Sequence, residues 1–185
     1  KENRLIRPAN LLKGQPGKGH GIFECNGKKI AVINLIGNVF MKKSEDLFSS
    51  ADKITKKLQL KKDVDFIFID LHGEITSEKM ALGHFLDGKI TTLVGTHTHV
   101  PTSDFKILKK GTAYQTDLGM CGDYDSVIGM NKENSIKRFF KDKSSTTHFP
   151  ADGEATLSGI IIEADHLTGL AKKVTRLIKG GSLVG

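Results

Sequence analysis

The sequence predicts an α/β domain built around parallel strands, and three observations lead to this class. Short apolar runs rich in β-branched residues alternate with segments whose apolar residues recur at helical spacing. The order strand, helix, strand, helix, strand is typical of domains whose helices connect parallel strands. A chain of 185 residues is long enough to bury one hydrophobic core. We therefore expect a single domain.

The elements follow in order along the first half of the chain. Residues 5–21, dense in glycine and proline, are predicted to be irregular. Strands are expected at 29–35, 64–71 and 89–94. A helix is expected at 44–60, with Ser44 as its N-cap, and a second helix at 76–87, closed by Gly88.

The second half of the chain contains shorter elements. A short strand is predicted at 112–116, followed by a glycine-rich loop at 117–126 and a short helix at 135–141. Residues 155–164 and 170–178 flank the turn-forming segment 165–169, which predicts a β-hairpin.

Composition and charge exclude several functional classes. The net charge is +7, but the lysines occur as scattered pairs, which is typical of solvated faces, so we expect no stable nucleic-acid partner. The positive surplus suits attraction of a small anionic substrate. No run approaches the roughly 20 apolar residues of a membrane span. Cys25 and Cys121 have neither disulfide nor metal-ligand spacing, which favours a cytoplasmic location.

Three histidines form the pattern with the clearest chemical meaning. His72 directly follows one apolar run, and His97 and His99 follow the next. Parallel strands end at the same edge of a sheet, and an H-x-H pair in extended chain projects both rings to one face. The pattern predicts a metal site. A three-histidine zinc site with a bound water and a two-metal site remain alternatives, and the second requires further carboxylate ligands.

Four acidic residues near these histidines are candidates for further roles: Asp70, Glu74, Asp104 and Asp117. We interpret each as structural. Asp70 shares a strand face with His72 and is expected to orient that ring from behind, and Glu74 is expected to complement a helix N-terminus. A serine hydrolase based on Ser126 is not favoured, because a G-x-S-x-G segment is absent from the sequence.

Several longer segments occur in colinear order over most of the chain. They are R-P-A-N at 7–10, A-V-I-N-L at 31–35, D-L-H-G-E-I-T-S-E-K at 70–79, L-D-G-K at 86–89, V-G-T-H-T-H-V at 94–100, G-T-A-Y-Q-T-D-L-G-M at 111–120 and D-S-V-I-G-M at 125–130. Together they closely resemble the YmdB-like bacterial metallophosphoesterases of the calcineurin-like superfamily. The resemblance implies a four-layer α/β/β/α sandwich, partial in this chain, and a homo-oligomer. It also implies hydrolysis of small phosphodiesters, notably 2′,3′-cyclic nucleotides, with two di- or trivalent cations, iron ahead of manganese or zinc.

The resemblance also assigns roles by position. His72 and His97 match ligands of one metal, and His99 matches a ligand of the other. In the family pattern a bridging carboxylate and a proton-donor histidine precede the R-P-A-N segment, which here begins at Arg7. Both are expected upstream of this chain, so no catalytic residue is assigned within it. Residues 1–185 are expected to be the C-terminal part of a single metallophosphoesterase domain.

Two functions from different classes follow from these expectations. The first is a phosphodiesterase in which a metal-bound hydroxide attacks phosphorus, with this chain alone inactive. The alternative is a catalytically incomplete module that binds nucleotides or serves in assembly. A mono-zinc amidohydrolase is disfavoured, because its barrel needs nearer 250 residues.

Overall fold

The computed structural model describes residue 2, residues 4–140 and residues 147–183, which form two β-sheets and three helices. The helices are α1 Leu47–Lys57, α2 Thr76–Leu86 and α3 Lys132–Phe139. None of these helices has the length and apolar character required to cross a membrane. The strands are β1 His20–Cys25, β2 Lys28–Ile36, β3 Phe66–His72, β4 Thr92–Thr96, β5 Lys106–Ile107, β6 Ala113–Gln115, β7 Gly122–Asp123, β8 Ala155–Ala164 and β9 Ala171–Lys179.

The larger sheet has six strands in the order β1-β2-β3-β4-β6-β5. Strands β2, β3, β4 and β6 are parallel, and antiparallel β1 and β5 form the two edges. His72, the last residue of β3, lies opposite Thr96, the last residue of β4. The predicted parallel α/β arrangement is confirmed, and its register brings the ends of β3 and β4 to the same level.

The core lies between the larger sheet and helices α1 and α2. Ile33 and Leu71 of the sheet pack in one buried cluster with Leu47 of α1 and Leu82 of α2. On the other face of the sheet, Phe68 and neighbouring residues line a cleft together with residues of β8, which belongs to the sheet β7-β8-β9. The order of layers is therefore helices, larger sheet, smaller sheet.

The predicted start of α1 at Ser44 is wrong. Asp46 is the N-cap, and its carboxylate accepts a hydrogen bond of 2.7 Å from the backbone N–H of Ser49. The Ser44 hydroxyl instead accepts a hydrogen bond from Asn38 in the preceding loop. A carboxylate at the cap also complements the positive end of the helix dipole, which a serine hydroxyl does only weakly.

Strand β1 is missing from the sequence prediction, although a local signal for it exists. Asn26 and Gly27 connect β1 to β2, and both have positive φ, as a two-residue turn between antiparallel strands requires. Strand β4 begins at Thr92 rather than at residue 89, because the N–H of Lys89 bonds to the Leu86 carbonyl in the turn that closes α2.

The C-terminal elements agree more closely with the prediction. Helix α3 begins three residues early because the Asn131 side chain caps it, and residue 141 of the predicted helix lies outside the described residues. The predicted hairpin is confirmed as β8 and β9.

Candidate functional site

His72 and His97 lie side by side at the carboxyl edge of the larger sheet. The Nε2 atom of His72 is 3.1 Å from the Nδ1 atom of His97, and the two rings are nearly perpendicular, at 87°. The contact follows from the register, because His97 directly continues from Thr96, the partner of His72 across the strands. The structure thus brings together two of the three predicted ligand histidines.

A chain of hydrogen bonds orients the His72 ring. The Thr96 hydroxyl donates to Asp70 over 2.9 Å, so its oxygen is left to accept from Nδ1 of His72 over 3.0 Å. Asn34 donates to the other carboxylate oxygen of Asp70 over 2.7 Å. Asp70 therefore orients His72 through Thr96 rather than directly. The Nε2 lone pair of His72 then points towards His97.

His97 has a second partner on its far side. Its Nε2 atom is 2.8 Å from a carboxylate oxygen of Glu74. If that nitrogen donates to Glu74 from a neutral ring, the lone pairs of His97 and His72 face each other and need a proton or a cation between them. Two nitrogens that both bind the same cation at about 2.1 Å lie roughly 3.0–3.4 Å apart. The observed separation of 3.1 Å fits a shared metal ion.

The electrostatic surroundings keep His72 in its neutral form. Burial lowers the pKa of His72 below its usual value, and the neighbouring His97 lowers it further. Burial also raises the pKa of Asp70, against the effect of its hydrogen bonds from Thr96 and Asn34. A neutral imidazole with one oriented nitrogen is the form in which histidine binds a metal ion.

His99 lies apart from this pair. Its Nδ1–H donates to the backbone carbonyl of Ile128 over 2.8 Å. The prediction of an extended H-x-H pair is wrong, because φ is +121° at His97 and +66° at His99. Within the described ranges, no three His, Cys, Asp or Glu side chains converge in a way that could hold a metal ion. The assignment of all three histidines as ligands stays a prediction.

A buried ion pair holds the turn that carries His97 and His99. Lys79 of α2 lies 3.0 Å from Asp117 and also donates to the Thr96 carbonyl over 2.9 Å. Asp117 in turn accepts a hydrogen bond of 3.0 Å from the backbone N–H of Thr98. Backbone in the left-handed region costs free energy for residues other than glycine, so these contacts must hold it in place. The sequence interpretation of Asp117 as structural is consistent with this geometry, but the pairing with Lys79 was not predicted.

Asp104 also has a structural environment. Its carboxylate accepts hydrogen bonds from the Thr102 hydroxyl over 2.6 Å and from the Thr116 hydroxyl over 2.5 Å. Burial alone would raise the pKa of Asp104, but these hydrogen bonds outweigh it and lower the pKa. The Ser126 hydroxyl donates to the Asp123 carbonyl within a turn, which does not suit a nucleophile.

Residues 1–177 match the family model described as "YmdB-like protein". The chain belongs to the YmdB-like family. This confirms the resemblance drawn from the colinear segments of the sequence. The chain is also 48% identical, over 94% of its length, to a Bacillus subtilis protein named 2′,3′-cyclic-nucleotide 2′-phosphodiesterase. It is 40% identical, over 94% of its length, to a Mycoplasma genitalium protein named putative phosphatase/phosphodiesterase.

Solved structures of related proteins share the fold of this YmdB-like chain. A phosphatase from Mycoplasma pneumoniae superposes with a TM-score of 0.86 at 36% identity, and covers 97% of this chain and 64% of its own. A hypothetical protein from Thermus thermophilus gives a TM-score of 0.85 at 34% identity, covering 96% of this chain and 68% of its own. The chain spans 65% of the B. subtilis relative and 62% of the M. genitalium one.

Proposed function

We propose that this YmdB-like protein is a metal-dependent phosphodiesterase that hydrolyses 2′,3′-cyclic nucleotides. The observation that carries the proposal is the approach of Nε2 of His72 to Nδ1 of His97 at the end of two parallel strands. Ligands bind at this edge in open α/β sheets. The name of the B. subtilis relative, at 48% identity, supports the choice of substrate.

In this proposal, His72 and His97 hold one cation and His99 helps to hold a second through Nε2, whose lone pair is available while Nδ1–H donates to the Ile128 carbonyl. Imidazole nitrogens suit iron and zinc, and we place iron first, with manganese or zinc as alternatives. A two-metal site needs bridging carboxylate and more ligands than three imidazoles supply. The remaining ligands, and the histidine that protonates the leaving oxygen, come from outside the residues described at this site.

The bound cations would polarise the phosphoryl group and supply a nucleophilic hydroxide at neutral pH. The residues of this chain hold the cations and orient the imidazole rings that bind them. Asp70 and Thr96 keep the His72 ring in one tautomer, and Glu74 accepts from His97 and makes that ring a stronger ligand. The +7 charge of the chain favours the approach of an anionic diester.

We further propose that the protein acts in the cytoplasm as a homo-oligomer. Phe139 and Phe140, which are adjacent at the end of α3, are each more than 80% exposed, and neighbouring exposed apolar side chains are typical of surfaces that associate. Sedimentation equilibrium of the full-length protein tests the proposal, and a single monomeric species at micromolar concentration would contradict it.

Metal analysis and a hydrolysis assay of the full-length protein test the main proposal. We expect bound iron, manganese or zinc, and turnover of 2′,3′-cyclic AMP that chelation abolishes. His97→Ala should lose metal and reduce kcat/KM by at least about 100-fold, since a ligand is removed. His84→Ala, which removes an exposed histidine of α2, should retain both. Hydrolysis that does not depend on a metal ion would overturn the proposal.

The second candidate function is a nucleotide-binding or assembly module without catalysis. It is supported by the separation of His99 from the His72–His97 pair. On this alternative, His97→Ala leaves nucleotide binding and assembly unchanged, and no metal-dependent turnover is found.

A further inference from the structure

A cavity of about 480 Å³ lies next to His99, between the turn after β4 and the end of β9. His99 and Ile128, which are joined by the 2.8 Å hydrogen bond, form part of its wall, and Arg176 of β9 forms another part. The volume falls within the range of about 300–1,000 Å³ found for small-molecule sites.

The Arg176 side chain has no polar partner within the part of the chain that the structure describes. Its Nε atom is buried and makes no hydrogen bond. Burying a guanidinium donor without an acceptor is unfavourable, so an acceptor is expected at this position. No carboxylate of the described residues lines the cavity, so no acidic side chain there neutralises the guanidinium.

The two hydroxyl groups that line the cavity are engaged with other partners and make no hydrogen bond to Arg176. The Tyr124 hydroxyl is engaged with the backbone N–H and carbonyl of Met120, at 2.9 Å each. The Ser126 hydroxyl donates to the Asp123 carbonyl. Much of the remaining wall is apolar and includes Val100 and Leu183.

We propose that Arg176 binds the phosphate group of a nucleoside phosphate in this cavity, with the apolar wall receiving the nucleoside. A guanidinium presents paired N–H donors that match two phosphate oxygens, which makes arginine well suited to this ligand. The site rests on the proposed function for its ligand class, because His99, a proposed metal ligand, lines the same cavity as Arg176. Arg176 is then a substrate-binding residue that distinguishes phosphorylated from unphosphorylated nucleosides.

The test compares two ligands that differ only in the phosphate. Binding of adenosine 3′-monophosphate and of adenosine is measured by isothermal titration calorimetry on the full-length protein after metal removal by chelation. Arg176→Gln should weaken binding of the monophosphate by about 10- to 100-fold, the effect of one charge-assisted contact, and leave adenosine unchanged. Arg176→Lys, which keeps the charge but lacks the paired N–H donors of a guanidinium, should weaken binding of the monophosphate by a smaller factor.

The matched control is Lys173→Gln, which removes the same charge from the opposite face of β9. Lys173 is exposed and pairs with Glu163, so both ligands should bind this variant as they bind the wild type. The proposal is overturned if Arg176→Gln leaves monophosphate binding unchanged or weakens both ligands equally. It is also overturned if the wild type does not prefer the monophosphate. If the metal-loaded wild type shows no turnover while this binding pattern is found, only the proposed hydrolysis is refuted.

Discussion

Lys79 and Asp117 form an ion pair of 3.0 Å that is almost completely closed to solvent, with side chains 1% and 0% exposed. Each partner also bonds to the backbone of the turn that carries the histidines, Lys79 to the Thr96 carbonyl and Asp117 to the Thr98 N–H. The pair thereby links α2, the end of β4 and the end of β6. It supports the backbone that positions His97.

Lys79→Met should destabilise the protein strongly. The substitution leaves the Asp117 carboxylate buried without its counter-ion, which costs about 3–5 kcal/mol. Lys56→Met is the control, because Lys56 pairs with Asp52 on the surface of α1 and such pairs contribute about 0–1 kcal/mol. Urea denaturation followed by circular dichroism measures both. Equal losses in the two variants would show that the buried pair has no special role in stability.

Thr96→Val should weaken metal binding without removing a ligand. The valine breaks the connection between Asp70 and Nδ1 of His72, and loss of such an outer partner reduces metal affinity by about 10- to 100-fold. Competition with a chromogenic chelator measures the affinity of the full-length protein. Thr98→Val is the control, since among the described residues the Thr98 hydroxyl bonds only to the backbone of Val100. An unchanged affinity in Thr96→Val would mean that the relay does not orient His72.

Gly95→Ala should separate two neighbouring strands. A Cβ at this position would lie 1.8 Å from the Thr116 carbonyl oxygen, so the backbones must move apart. Forcing atoms into a packed region costs about 1–3 kcal/mol or more. Gly159→Ala is the control, because among the described residues no heavy atom beyond its chain neighbours lies within 4 Å of the added methyl group. Thermal unfolding should show a lower Tm for Gly95→Ala only, and equal Tm values would contradict the close approach of β4 and β6.

Tyr114 should make the protein less stable at alkaline pH. Burial raises the pKa of Tyr114 to about 12, whereas an exposed tyrosine titrates near 10. The neutral phenol is favoured in the folded state, so its contribution to stability is complete below pH 10 and is lost as pH rises towards 12. Denaturation between pH 8 and 11 measures this slope. Tyr114→Phe should be less stable at every pH, through loss of the Thr116 hydrogen bond, but should have a flatter alkaline slope.

The strands around the site could be predicted from sequence because their signals are local. Apolar runs placed β2, β3 and the hairpin β8–β9 within a few residues of their observed bounds. The same runs placed His72 and His97 after parallel strands, and the register confirmed that these ends meet. The Asn26-Gly27 turn was an equally local signal for β1 that the sequence interpretation passed over.

The surroundings of the histidines could not be predicted in this way. The prediction of an extended H-x-H segment is wrong. Asp117 and Lys79, which are remote in sequence, hold a turn in which His97 and His99 have positive φ. The direction of the His99 ring depends on the Ile128 carbonyl, which is 29 residues away. No periodicity within one segment carries this information.

The sequence by itself determined the fold class, the family and the position of three histidines at the end of parallel strands, because periodicity, turn chemistry and colinear segments are all written along the chain. Only the tertiary structure decided that His72 and His97 meet while His99 points elsewhere, and that Arg176 shares a cavity with His99. The physical reason is that side-chain direction and burial arise from contacts between residues distant in sequence, which exist only once the two sheets have packed.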